Sequence, residues 1–162
     1  MEVTYKAIGT IHSPFTDLSG MPIQPTSESS AEGWIELDPQ FAEGLKDLEG
    51  FSHIYLIYHL HKVAQTKLIV TPFLDTEPRG VFATRAPSRP NPIGLSLVKL
   101  VRVERNRVYV DQIDVLDGTP LLDLKPFIPA FEGEEEIKTG WLEKARKKVR
   151  SARSDHRFLG KS

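Results

Sequence analysis

Three segments of the 162-residue chain carry side chains whose types and spacing could do chemistry. His59-Leu60-His61 is the first, because alternate strand residues point the same way and two imidazoles about 7 Å apart could share one metal ion. His53 lies too far back to complete a compact site, so the pair reads as strand histidines bonded to carboxylates or a ligand, with no metal. The second runs from Gly80 to Ser96, where Pro87, Pro90 and Pro92 fix φ and remove donors and so exclude both strand and helix. Arg85 and Arg89 stand on this stiff loop, and their planar forks suit bidentate binding of carboxylate or phosphate. Scaffolding alone would need no arginines, so the loop is read as a binding loop.

The third segment, 111–126, is acidic and apolar at once. Strand alternation would put Asp111, Ile113, Val115 and Asp117 on one face and Gln112, Asp114 and Leu116 on the other. Carboxylates among such neighbours are costly to bury unless paired or engaged by a ligand. Asp117 precedes Gly118 and reads equally well as a turn residue, whereas Asp114, Asp123 and Lys125 have no such excuse. Glycine-rich dinucleotide and phosphate loops and the Gly-x-Ser-x-Gly elbow are all absent, which leaves dinucleotide folds, P-loop enzymes and α/β-hydrolases without support.

The elements that must position these segments are short. Alternation predicts strands over 5–11, 33–37, 53–60, 67–70, 80–84, 95–103, 107–115 and 121–124. Phe41, Leu45 and Leu48 at helical spacing predict one short helix over 39–48, stopped near Gly50. Residues 16–31 form a long loop of the kind that is either disordered or functional. Many short strands with tight turns favour a mainly β fold, a small closed antiparallel barrel over residues 1–131. Residues 132–162 follow as an acidic linker, a short basic amphipathic helix carrying Trp141, Leu142, Ala145 and Val149, and a tail.

Composition agrees. Twelve Pro and eleven Gly argue against a helical bundle, and the lack of Cys removes disulfides and thiolate chemistry and fits a reducing compartment. With no long apolar run and no basic-then-apolar N-terminus, the expected location is cytoplasmic, without a membrane partner. The net charge of −1 hides segregation: 79–107 holds seven basic and one acidic residue, 141–162 eight and two, while 1–78 and 108–140 are acidic. Clustered Arg and Lys on an otherwise acidic chain suit a polyanion.

Residues 80–85 and 89–96 closely resemble the signature of the TsaA-like, or TrmO-type, family of S-adenosyl-L-methionine-dependent tRNA methyltransferases. Asp117-Gly118-Thr119-Pro120 with Asp123-Leu124-Lys125-Pro126 is similar to its second motif. Gly50-Phe51-Ser52-His53 with His61, Ile8-Gly9 with Ser13-Pro14-Phe15, and Met21-Pro22-Ile23-Gln24 fall in family order, so the resemblance spans residues 5 to about 130. It implies a β-barrel methyltransferase outside the Rossmann class, a homodimer, methylating the exocyclic amine of threonylcarbamoyl-adenosine at position 37 of tRNA.

By position the resemblance implies cofactor contacts at Pro22, Ile23, Gln24, His61, Lys62, Arg85, Leu95, Gln112, Ile113 and Asp114. Ile23 stands where bacterial members commonly have Arg, so that contact is backbone or apolar here. Longer members carry an extra C-terminal domain, in whose place this chain has 132–162. Methyl transfer from a sulfonium needs chiefly an in-line nucleophile. The adenine amine is a weak one, so Asp114 or Asp117 would serve as acceptor to orient it, while Arg89, Asn91 and Lys125 would meet the substrate.

Overall fold

The computed structural model describes residues 1–19, 31–133 and 137–144. Six strands close into a barrel: β1 (Gly9–His12), β2 (Gly33–Leu37), β3 (His53–His59), β6 (Ile93–Glu104), β7 (Arg107–Asp111) and β8 (Thr119–Pro126). Their order around the barrel is β1-β2-β7-β6-β3-β8, with β8 returning to β1 and every pairing antiparallel. β4 (Ile69–Val70) and β5 (Arg79–Gly80) form a separate two-stranded ribbon. Closure leaves none of the six strands with an unpaired edge.

Period-2 alternation drives this assembly. Ile54, Leu56 and Tyr58 of β3 point inward between half-buried Tyr55 and Ile57, and Val98 and Leu100 of β6 meet Val108 and Val110 of β7 in the same interior. Ile11, Ile35, Ile113 and Leu121 complete a core in which each is fully buried. Each such side chain contributes about 1.5–3 kcal/mol relative to exposure.

Several predicted elements change form. The helix expected over 39–48 is instead two 3-10 turns, Pro39–Leu45 and Leu48–Gly50, separated by Asp47 at φ 66°. Leu45, at the end of the first turn, and Leu48, at the start of the second, are both buried, and the left-handed Asp47 between them interrupts any continuous helix, while Phe41 stays exposed. The strand over 5–11 begins only at Gly9. The strand over 80–84 stops at Gly80, because Val81–Ala83 curls into a 3-10 turn closed by the Thr84 hydroxyl on the Val81 carbonyl at 2.9 Å. The strand over 107–115 ends at Asp111, where Gln112 takes φ 63°, and the 121–124 strand extends to Thr119–Pro126. α1 (Pro129–Glu132) is a single turn. The predicted basic helix starts as a 3-10 turn, Gly140–Lys144, and its remainder, with the tail, lies outside the described residues.

Gly94 of β6 lies opposite Tyr58 of β3, and a Cβ there would collide with the tyrosine ring. Gly94→Ala is expected to lower stability by about 2–4 kcal/mol in urea unfolding. Gly50→Ala, which meets nothing within 4 Å, is expected to change it by less than about 1 kcal/mol.

Candidate active site

Antiparallel pairing brings the C-terminal ends of β3 and β7 to the same end of the barrel as the N-terminal ends of β6 and β8. A cleft of about 930 Å³ opens there. Its walls come from the end of β3, the 82–95 loop, residues 114–116 and the segment at Trp141. Trp141 Nε1 donates to the Ala83 carbonyl at 2.8 Å and the Arg79 guanidinium lies 5.8 Å from the ring centroid, which fixes the indole on the cleft rim.

The proline loop is held from within. Val70, Val81 and Ala86 make a small buried cluster beneath it. Arg89 Nη1 donates to the carbonyls of Thr84 and Ala86, each at 3.1 Å, and the Leu60 N–H donates to the Pro92 carbonyl at 2.7 Å. Arg89 therefore shapes the loop as well as lining the cleft. Arg85 is exposed on the same wall and makes no ion pair among the described residues, so its charge is open to a ligand.

Asp114 forms the opposite electrostatic feature. Burial pushes its carboxyl up to about 6, against the downward pull of the Ser96 hydroxyl, its own backbone N–H and the Arg85 charge. Ser96 Oγ donates to Asp114 Oδ1 at 2.5 Å, and Tyr58 Oη lies 2.9 Å from Ser96 Oγ. Burial and the neighbouring Asp114 push the Tyr58 phenol far above its ordinary value, so it stays protonated. His61 is pulled down by burial, then by Lys62 and His59, which keeps it neutral near pH 7.

The structure gathers His61, Lys62, Arg85, Leu95 and Asp114 in this cleft together with Arg89 and Asn91. It does not gather the others. Left-handed Gln112 breaks the strand alternation, which sends Ile113 wholly into the core beside Gly33, with neither residue on the cleft wall. Asp117 is a turn residue outside the cleft: Ser13 N–H donates to its Oδ1 at 3.0 Å, and His12 Nδ1 lies 3.5 Å away. Lys125 is exposed and paired with Asp123 at 2.8 Å, also away from the cleft. Pro22, Ile23 and Gln24 lie outside the described residues. No cluster of three metal-ligating side chains occurs among the described residues, and His59 is exposed and absent from the cleft wall that His61 joins. Tyr58, Ser96 and Trp141 are not legible as site residues from the sequence; strand register puts Tyr58 on the cleft wall and Ser96 behind it against Asp114, and the Ala83 carbonyl holds Trp141 on the rim.

Residues 10–133 match the family model for the tRNA-methyltransferase O N-terminal domain. A Pyrococcus abyssi protein described as a probable S-adenosyl-L-methionine-binding protein is 51% identical over 157 residues, 97% of this chain and 85% of its own. A mouse tRNA (adenine(37)-N6)-methyltransferase is 35% identical over 137 residues, covering 80% of this chain and 32% of the mouse protein. The crystal structure of TrmO from Pseudomonas aeruginosa superposes with a TM-score of 0.74 at 38% identity, over 86% of this chain and 62% of that one.

The weakened acidity of Asp114 carries a stability consequence. Between pH 4 and 6 the unfolded carboxyl loses its proton while the folded one keeps it, so wild-type stability falls as pH rises through this window. Asp114→Asn is therefore expected to unfold about 2–3 kcal/mol later than wild type at pH 8, with the gain gone below pH 4, measured by urea titration at both values.

Proposed function

We propose, from the premise that this chain belongs to the tRNA-methyltransferase O family, that it is an S-adenosyl-L-methionine-dependent methyltransferase. Its acceptor is the exocyclic amine of threonylcarbamoyl-adenosine at position 37 of tRNA, and it works as a homodimer. The observation that carries this reading is the cleft itself, which holds an open guanidinium, Arg85, and a part-buried carboxylate, Asp114, between apolar walls.

The residues present fit the cofactor. Leu60, Val63, Leu95 and Leu116 offer apolar surface for a flat purine, and Arg85 offers a fork for the amino-acid carboxylate. Held there by Arg85 and these apolar side chains, S-adenosyl-L-methionine would supply an electrophilic sulfonium methyl group whose leaving electron pair would stay on sulfur. What the chain supplies is position, through a loop with three prolines and the Arg89 clasp. Asp114 accepts a hydrogen bond from the amine and steadies the charge that grows on it. Asn91 and the remaining face of Arg89 are assigned to the threonylcarbamoyl group, whose carboxylate suits a guanidinium. Lys125, away from the cleft, is left for the RNA phosphates. Phe82, Ile93 and Leu95 stand exposed at the mouth, where a second copy would shield them.

A chain that binds the cofactor without transferring its methyl is the competing reading, favoured by the description of the Pyrococcus relative as a binding protein. Incubation with methyl-labelled cofactor and total tRNA separates the two. Label on tRNA in a nucleoside that loses it when the threonylcarbamoyl modification is absent is the expected result; cofactor binding without label overturns it. Arg85→Ala is expected to weaken cofactor binding about 10- to 150-fold by calorimetry, about 1.5–3 kcal/mol, with Arg85→Lys restoring only part.

A further inference from the structure

Tyr58 from β3, Ser96 from β6 and Asp114 from the segment after β7 form a continuous polar chain running from the cleft wall into a barrel core made mostly of Ile, Leu and Val. Tyr58 is 7% exposed and Ser96 1%. The serine hydroxyl has a single proton and donates it to Asp114, so its remaining capacity is as an acceptor, and the tyrosine proton fills it. The order Tyr58 to Ser96 to Asp114 is thereby fixed whenever the carboxyl is ionised. Phenylalanine at 58 and an apolar residue at 96 would keep the ring against Gly94 and build the same core without desolvating three polar groups. The fold gains nothing from the two hydroxyls and the carboxyl that apolar packing would not provide.

We propose that Tyr58 and Ser96 are positioning residues that hold one oxygen of Asp114 and so aim its carboxylate to take the proton that the substrate amine loses on methylation. The inference rests on the methyl-transfer reading and names the groups that make it work. The nitrogen lone pair becomes the bond to the methyl carbon, and the nitrogen then releases one N–H proton. Asp114 receives that proton and, as a carboxylic acid on the cleft wall, returns it to solvent. Burial raises the lowest pH at which Asp114 can accept, and the Ser96 hydroxyl, by favouring the ionised form, brings it part of the way back down. The charged and titratable groups facing the carboxyl are Arg85, which favours ionisation, and Tyr58, which stays neutral; His61, Lys62 and Arg89 line the same cleft from the β3 end and the proline loop.

The test combines a titration of the free chain with kinetics. Carbon-13 NMR of aspartate-labelled wild type, Ser96→Ala and Tyr58→Phe reads the Asp114 carboxyl midpoint, assigned by its loss in Asp114→Asn. The pH profile of label transfer is measured on the same proteins. Ser96→Ala is expected to raise the midpoint by about one pH unit and to move the acid limb of kcat equally, with KM within about twofold. Tyr58→Phe, which keeps the ring and its packing, is expected to shift both in the same direction by less, and it carries the test if Ser96→Ala does not fold. An unchanged midpoint in both variants, or a moved midpoint with an unmoved acid limb, overturns the proposal. A wild type that binds cofactor yet transfers no label, over a preparation with the midpoint shift intact, instead overturns the methyl-transfer reading and with it the proton acceptance by Asp114.

Discussion

The contact on which most of the structure depends is Tyr58 against Gly94. Across the β3–β6 pair these residues are opposite, and the ring occupies the volume that any larger residue at 94 would need. A slip of one residue would set Leu95 or Ile93 against the ring and turn every inward side chain of one strand toward solvent. Register on β6 in turn fixes β7, since the two are consecutive strands joined by a turn in which Arg105 adopts φ 54°. Asp114, just beyond β7, thus arrives beside Ser96 through the same constraint that packs the core. Core register and site geometry are one problem in this barrel, not two.

Electrostatics at the cleft end run against the remainder of the fold. On the barrel strands three ion pairs are exposed: Arg102 with Glu104 at 2.7 Å, Arg107 with Glu36 at 3.3 Å, and Lys125 with Asp123 at 2.8 Å. Such pairs contribute little, commonly below about 1 kcal/mol. In the cleft, by contrast, Arg85 makes no ion pair among the described residues, and the desolvated Asp114 carboxyl is met by the Ser96 hydroxyl, its own backbone N–H and the Arg85 charge without a contacting cation. A fold selected for stability alone would pair or remove them. Their retention is the kind of local conflict that marks a working site.

What the residues disclosed in advance follows the same division. The barrel was legible because closure depends on alternation and turns, both of which are written locally at 53–60 and 33–37. The rigid loop was legible because proline removes donors wherever it stands. Three things were not. Helical spacing at Phe41, Leu45 and Leu48 cannot distinguish an α-helix from 3-10 turns, and tertiary packing of two leucines decided it. Gln112 in the left-handed region carries no glycine to announce it, yet it ends β7 and redirects Asp114. Arg89 looked like a free fork, and only the folded loop shows carbonyls of Thr84 and Ala86 within its reach. Within the cleft, Arg85, Arg89 and Asn91, announced by local chain chemistry, reach its wall, whereas Tyr58 and Ser96 meet Asp114 only through the pairing of β3 with β6.

The division has a physical reason that bears on catalysis. Transfer of a methyl group makes small demands on acid and base strength and large ones on alignment, so the protein's contribution is stiffness distributed over several elements. Loop rigidity comes from covalent restriction at prolines, which a sequence displays. Rigidity at Asp114 comes from hydrogen bonds between β3, β6 and the chain after β7, which exist only once the barrel is closed. Closing the barrel is therefore also the step that places the Asp114 carboxyl, and a chain lacking the Tyr58–Gly94 fit would lose core register and the geometry of Asp114 together.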